Sequence, residues 1–188
     1  MSYAVYDDRH HFGPELGIGQ VLGASFDEPV LLIKTAWGAK SLAVDFRPPS
    51  AGGATGPFYR QMLDEFRVAL AGIDTAFPQY AQHVPRVEGV IWFQGWNDGC
   101  DEAAAAKTGN MDNFVLREGQ KAGCARSEVG GGARFVPTAA FLRKPEDCPN
   151  PGHGHHWFGS AESYLLIGDA LGRAMADLLD ERAGETPN

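Results

Sequence analysis

The sequence predicts an α/β fold, a parallel sheet covered by helices on both faces, and three observations predict it. Short apolar runs bounded by turn residues recur along the chain. Stretches with apolar residues every three or four positions separate them. The turns that follow two of these runs carry glycine and polar side chains, as at the strand ends of an open parallel sheet. Strands alternating with helices imply βαβ units rather than hairpins.

The elements follow in order. Pro14 suits the first turn of a helix over 14–26, PELGIGQVLGASF. The run PVLLIKTA, 29–36, comes after the turn-like Asp27-Glu28-Pro29 and reads as a buried strand. RPPSAGGATGP, 47–57, holds too much Pro and Gly for regular structure. In PFYRQMLDEFRVALAGI, 57–73, Phe58, Met62, Phe66, Ala69, Leu70 and Ile73 fall on one helix face. VEGVIWFQG, 87–95, reads as a second buried strand with aromatic and β-branched content. A short helix is predicted around 101–118, a Gly-rich loop over 119–133 and a weaker strand at RFVPT, 134–138. A last helix runs from Ala161 to about Arg182 through Tyr164, Ile167, Leu171, Met175 and Leu178. There is no internal repeat, and residues 1–188 read as one domain.

Composition narrows the function. With 44% hydrophobic and 21% charged residues the chain is globular, and 188 residues suffice for a core without metal or disulfide. A net charge of -8 with no Lys/Arg cluster argues against nucleic acid or an anionic membrane as partner. Cys100, Cys124 and Cys148 are odd in number and lack C-x-x-C spacing, so no disulfide framework is expected. No apolar run reaches the roughly 18–20 residues of a membrane span. MSYAVYDDRHHFG has no apolar core of a signal peptide, and the compartment stays open.

Two strand ends carry candidate chemistry. Gly38, in TAWGAKSL, can leave a backbone N–H aimed at an anion, or can be a plain turn glycine. Asn97, in QGWNDG, offers an amide donor to an oxygen gaining charge, or serves turn geometry. Asp98 reads as a turn or cap residue. His153, His155 and His156, in NPGHGHHWFGSAESY, present an imidazole as general base, a solvated loop, or a weak metal site. The only further histidine pair of note is His10-His11, so no metal is expected. Ser160 and Glu162 suit the cap and acidic first turn of the last helix. Trp37, Trp92, Trp96 and Trp157 lie near these segments and suit either sugar stacking or wall packing.

FGPELGIGQVLG, VLLIKTAWGAKSL, GVIWFQGWND and HHWFGSAESYLLIGDALGRAM together resemble the SGNH (GDSL-like) hydrolases, in particular the sialate O-acetylesterase-like carbohydrate esterases. The resemblance runs from about Phe12 to Leu179, with a poor stretch near 116–133. It implies a three-layer α/β/α sandwich with a flavodoxin-like parallel sheet, here incomplete. It implies an oxyanion hole of Gly38 and Asn97, His156 as base with His155 as fallback, and Trp37, Gln94 and Trp96 at the substrate. It implies no cofactor, and an acetylated carbohydrate as substrate or ligand. The family's Gly-x-Ser-x-Asn nucleophile segment has no counterpart, and the Asp that orients the family's histidine is replaced by His153. The closest substitute for the nucleophile is Ser41. The expectation is a truncated reading frame or a degenerate paralogue. Its function is carbohydrate O-acetylesterase chemistry or, alternatively, carbohydrate binding without turnover; a metal-binding histidine module ranks last.

Overall fold

A computed structural model describes residues 5–6, 9–99, 114–126 and 131–184. They fall into two compact units, one drawn from 1–32 with 121–188 and the other from 33–120.

The first unit opens with a two-stranded antiparallel hairpin, β1 (Val5–Tyr6) with β2 (Arg9–His10), in which Val5 faces His10 and Tyr6 faces Arg9. Helix α1 (Glu15–Ser25) follows. Pro14 stands at its start, where a missing N–H costs nothing, and its carbonyl accepts from the Ile18 amide at 3.0 Å. Helix α6 (Ala161–Gly184) is the long C-terminal element. Its start is capped by Ser160, whose Oγ accepts from the Ser163 amide at 3.2 Å.

α1 and α6 pack through glycine. A Cβ on Gly168 would lie 2.2 Å from the Pro14 carbonyl oxygen, and one on Gly17 would lie 2.6 Å from that of Leu165. Only residues without a side chain let the two backbones come this close. Around this seam Ile18, Leu22, Ile167, Ala176 and Leu178 are buried. Ser163 is fully buried and donates its hydroxyl to the Phe141 carbonyl at 2.7 Å, which satisfies both groups.

The second unit contains α2 (Pro57–Ala71), α3 (Ile73–Ala76), the single-turn α4 (Trp96–Gly99) and irregular chain between them. The amides of Phe58 and Tyr59 donate to the Asp45 carbonyl at 3.0 and 3.3 Å, satisfying two of the unpaired donors at the start of α2. Beside them Gly56 is buried, and a Cβ there would sit 2.1 Å from that same oxygen. The core of this unit is aromatic. Phe46 is 8% exposed and meets Trp37, Phe58 and Trp92 at ring-centroid distances of 5.8, 6.0 and 5.2 Å. Helix α5 (Phe114–Cys124) spans the sequence boundary between the units. It occupies part of the predicted loop 119–133; most of the helix predicted around 101–118 lies outside the described residues.

The predicted parallel sheet is absent among the described residues. Among the described residues the only sheet is the β1–β2 hairpin, so the three-layer α/β/α sandwich with a flavodoxin-like parallel sheet is overturned. The runs 29–36, 87–95 and 134–138 carry no strand ladder. Their side chains are not buried as sandwich strands require: Val30, Leu31, Leu32, Val87, Val90 and Phe93 are all exposed. The physical reason is that an apolar run becomes a strand only when another backbone pairs its N–H and C=O groups. Apolar content alone cannot supply that partner. Without one, these backbones stay where water can satisfy them.

Among the described residues no helix is long and apolar enough to cross a membrane. Cys124 and Cys148 are free thiols; Cys100 lies outside the described residues.

Candidate functional site

The two loaded turns, 37–46 and 94–99, lie in the second unit, and side chains join them. Asp98 reaches from α4 to the amides of Leu42 and Ala43, which donate to its two carboxylate oxygens at 2.8 and 3.0 Å. Gln94 donates its side-chain N–H groups to the Lys40 carbonyl at 2.9 Å and to Asp98 Oδ2 at 2.8 Å. Within the first turn, Asp45 accepts from the Ser41 amide at 2.9 Å, and Ser41 Oγ accepts from the Val44 amide at 3.2 Å. The successive amides of residues 41–44 are therefore all taken by side chains.

Gly38 sits just outside this capped stretch. It is exposed, nothing lies within 4 Å of where its Cβ would be, and no described residue accepts from its amide. Ala39 follows at φ 54°, the left-handed region. For a residue with a Cβ that costs about 1–2 kcal/mol, and such strain tends to gather at ligand-binding turns.

Asn97 lies on α4, half-buried, and its amide bonds to no other described side chain. Trp96 beside it is 51% exposed. Trp37 is half-buried and meets Phe58 in an edge-to-face arrangement at 5.4 Å. Lys40 places its ammonium 4.4 Å above the Phe58 ring and 3.9 Å from Asp45. Ser41 donates its hydroxyl to Asp45 at 3.2 Å and so works as a turn cap.

His156 belongs to the other unit, in the turn Gly154–Gly159. That turn is closed by the Asn150 amide donating to the Phe158 carbonyl at 2.9 Å and the Phe158 amide to the His153 carbonyl at 3.1 Å. Trp157 and Phe158 are held at φ 52° and 54°, ahead of Gly159 at φ 70°. His153 and His156 are exposed, and the side chain of His155 lies outside the described set. Asn150 Oδ1 lies 2.7 Å from His153 Nδ1, within hydrogen-bond distance. Among the described residues no three His, Cys, Asp or Glu side chains gather as a metal site would need.

The structure therefore brings Gly38, Trp37, Gln94, Trp96 and Asn97 into one unit and puts His156 in the other. From the sequence, Asp98 reads as a turn or cap residue and Gln94 as lying at the substrate, but not that both bond to the turn around residues 40–43. Their four-residue spacing around a Gly-Trp turn was the available signal, since it puts both side chains on one side of a helical turn. No protein-family model matches the chain, and neither the curated proteins nor the solved structures contain a match.

Proposed function

We propose that the second unit binds an acetylated carbohydrate at the turns around Gly38 and Asn97 without hydrolysing it. One observation carries the reading: two turns bearing uncommitted N–H donors are bonded together beside an exposed indole, Trp96. An N–H pair of this kind suits an acetyl carbonyl oxygen, and an indole face suits the apolar side of a sugar ring. The similarity of these segments to carbohydrate O-acetylesterases points to the same ligand class. What separates binding from turnover is the nucleophile. The Ser41 hydroxyl donates to Asp45 and accepts from the Val44 amide, so its proton and one lone pair serve the turn. Donors without a nucleophile stabilise a carbonyl oxygen but form no acyl intermediate.

The test compares the chain with its Ser41→Ala and His156→Ala variants. Hydrolysis of p-nitrophenyl acetate is expected to be indistinguishable among the three. Methyl tri-O-acetyl-xyloside is expected to shift the amide resonances of Gly38 and the side-chain resonances of Asn97. Hydrolysis abolished by either substitution would overturn the binding reading in favour of an acetylesterase.

A further inference from the structure

The geometry points to Gln94 and Asp98 as positioning residues that hold the Gly38 turn and Asn97 in register for a shared ligand oxygen, an inference that rests on the ligand reading above. Asp98 bridges a sequence gap of more than fifty residues with both carboxylate oxygens. Gln94 adds a second bridge, from its side-chain nitrogen to the Lys40 carbonyl and to Asp98. The Gln94 carbonyl in turn accepts from Gln120 at 3.0 Å, which anchors the base of the clamp.

The direction of the Gln94 amide is fixed by chemistry. Its nitrogen faces a carbonyl and a carboxylate oxygen, neither of which has a proton to give. Turning the amide over would set oxygen against oxygen twice. The orientation leaves Gln94 Oε1 buried with no partner among the described residues, an arrangement that folded proteins generally avoid. The two directed N–H bonds are kept at that cost, as expected of an amide whose task is orientation.

The clamp acts close to both donors. Lys40 is two residues from Gly38, and Asp98 directly follows Asn97. The capped amides of 41–44 stiffen the stretch that directly follows Gly38 and Ala39. Two donors that share one oxygen must each lie within roughly 2.7–3.1 Å of it, a tolerance that loosely tethered turns cannot keep. Gln94 therefore acts on both turns through Lys40 and Asp98.

The experiment uses the intact ¹⁵N-labelled chain, with Asp98→Ala, Asp98→Asn and Gln94→Met variants and methyl tri-O-acetyl-xyloside as probe. Asp98→Ala is expected to quicken hydrogen exchange at the Leu42 and Ala43 amides about tenfold or more, with helical circular dichroism unchanged. It is expected to raise the Kd for the probe about tenfold, so that Gly38 and Asn97 no longer follow one binding curve. Asp98→Asn can keep two of the three bonds at this position and should recover most of the affinity. A purely structural role predicts no such graded return. Gln94→Met leaves the Asp98 bonds to Leu42 and Ala43 in place, and carries the test even where Asp98→Ala fails to fold.

Faster exchange with an unchanged Kd would make the clamp structural only and overturn the inference. Unchanged exchange would overturn it as well. A wild-type chain whose Gly38 and Asn97 resonances ignore the probe defeats the ligand reading, and the positioning role with it. That outcome is seen before any variant is made, so the two failures are told apart.

Discussion

The two units of this chain are held together by different physics. In the first, α1 and α6 meet backbone to backbone, with Gly17 and Gly168 removing the side chains that would keep them apart. The stability there comes from helices whose hydrogen bonds are local and whose close seam buries Ile18, Leu22 and Ile167. In the second unit much of the chain between helices is irregular, and its order depends on groups distant in sequence. Phe46 is buried among Trp37, Phe58 and Trp92, and Gln94 and Asp98 satisfy backbone groups of residues 40, 42 and 43. The first unit rests on a close backbone seam between two helices, and the second on side chains that hold irregular backbone in place.

The sharpest way to break this contrast is to empty the aromatic core. Phe46→Ala removes the ring shared by Trp37, Phe58 and Trp92 and is expected to cost about 3–5 kcal/mol. Tryptophan emission should move to the red as Trp37 and Trp92 gain water. Exchange protection in α1 and α6 should stay as it was. A loss below about 1 kcal/mol in denaturant titration would mean the ring is not central to the unit.

The corresponding change in the helical unit is Gly168→Val. A Cβ at 2.2 Å from the Pro14 oxygen cannot be absorbed by rotating a side chain, so α1 must move away from α6. The expected loss is about 2–3 kcal/mol, the upper part of the usual range for overpacking. Gly23, also on α1, has nothing within 4 Å of its would-be Cβ, and Gly23→Ala should instead raise stability by about 0.5–1 kcal/mol. Opposite signs from two glycines, read by thermal melting at 222 nm, would separate packing from helix propensity. Matching signs would remove the case for a tight seam.

These effects also show which parts of the structure could be read from sequence. α1, α2 and α6 were legible because Pro14, helix periodicity and the Ser160 cap all act within a few residues of the chain they shape. The strands were not, because 29–36 and 87–95 are apolar enough for a strand but pair in no ladder with another described backbone. Apolar runs report the wish to be buried and say nothing about who does the burying. The site divided in the same way. The turns suggest Gly38 and Asn97 as candidates from sequence alone. That Asp98 caps residues 42 and 43 could not be read there, since nothing in WNDG names a partner so far back in the chain.

The smallest expected effects come from the first turn of α6, where two ionisable groups face opposite ends of the pH scale. Glu162 makes a two-bond pair with Arg143 at 2.8 and 3.0 Å. The guanidinium hydrogen bond, then its charge, hold the carboxyl below its ordinary value of 4.5. A depressed pKa gives stability that is fully present above the ordinary carboxylate range and lost as pH falls through the lowered value. Two residues on, burial, and then the nearby Glu15 carboxylate, push the Tyr164 phenol above its ordinary value of 10.0. For this group the sign is reversed: the folded state favours the proton, so stability is complete below pH 10.0 and lost as pH climbs through the raised value. Arg143→Ala should therefore shift only the acid limb of a stability-against-pH curve, and 1 M salt should shrink that shift because the pair is exposed to solvent. Tyr164→Phe should flatten only the alkaline limb, read with the rise of phenolate absorbance near 295 nm in the parent. If either substitution moved both limbs, the two groups would be coupled through the start of α6, and the independence of its cap from its buried face would have to be given up.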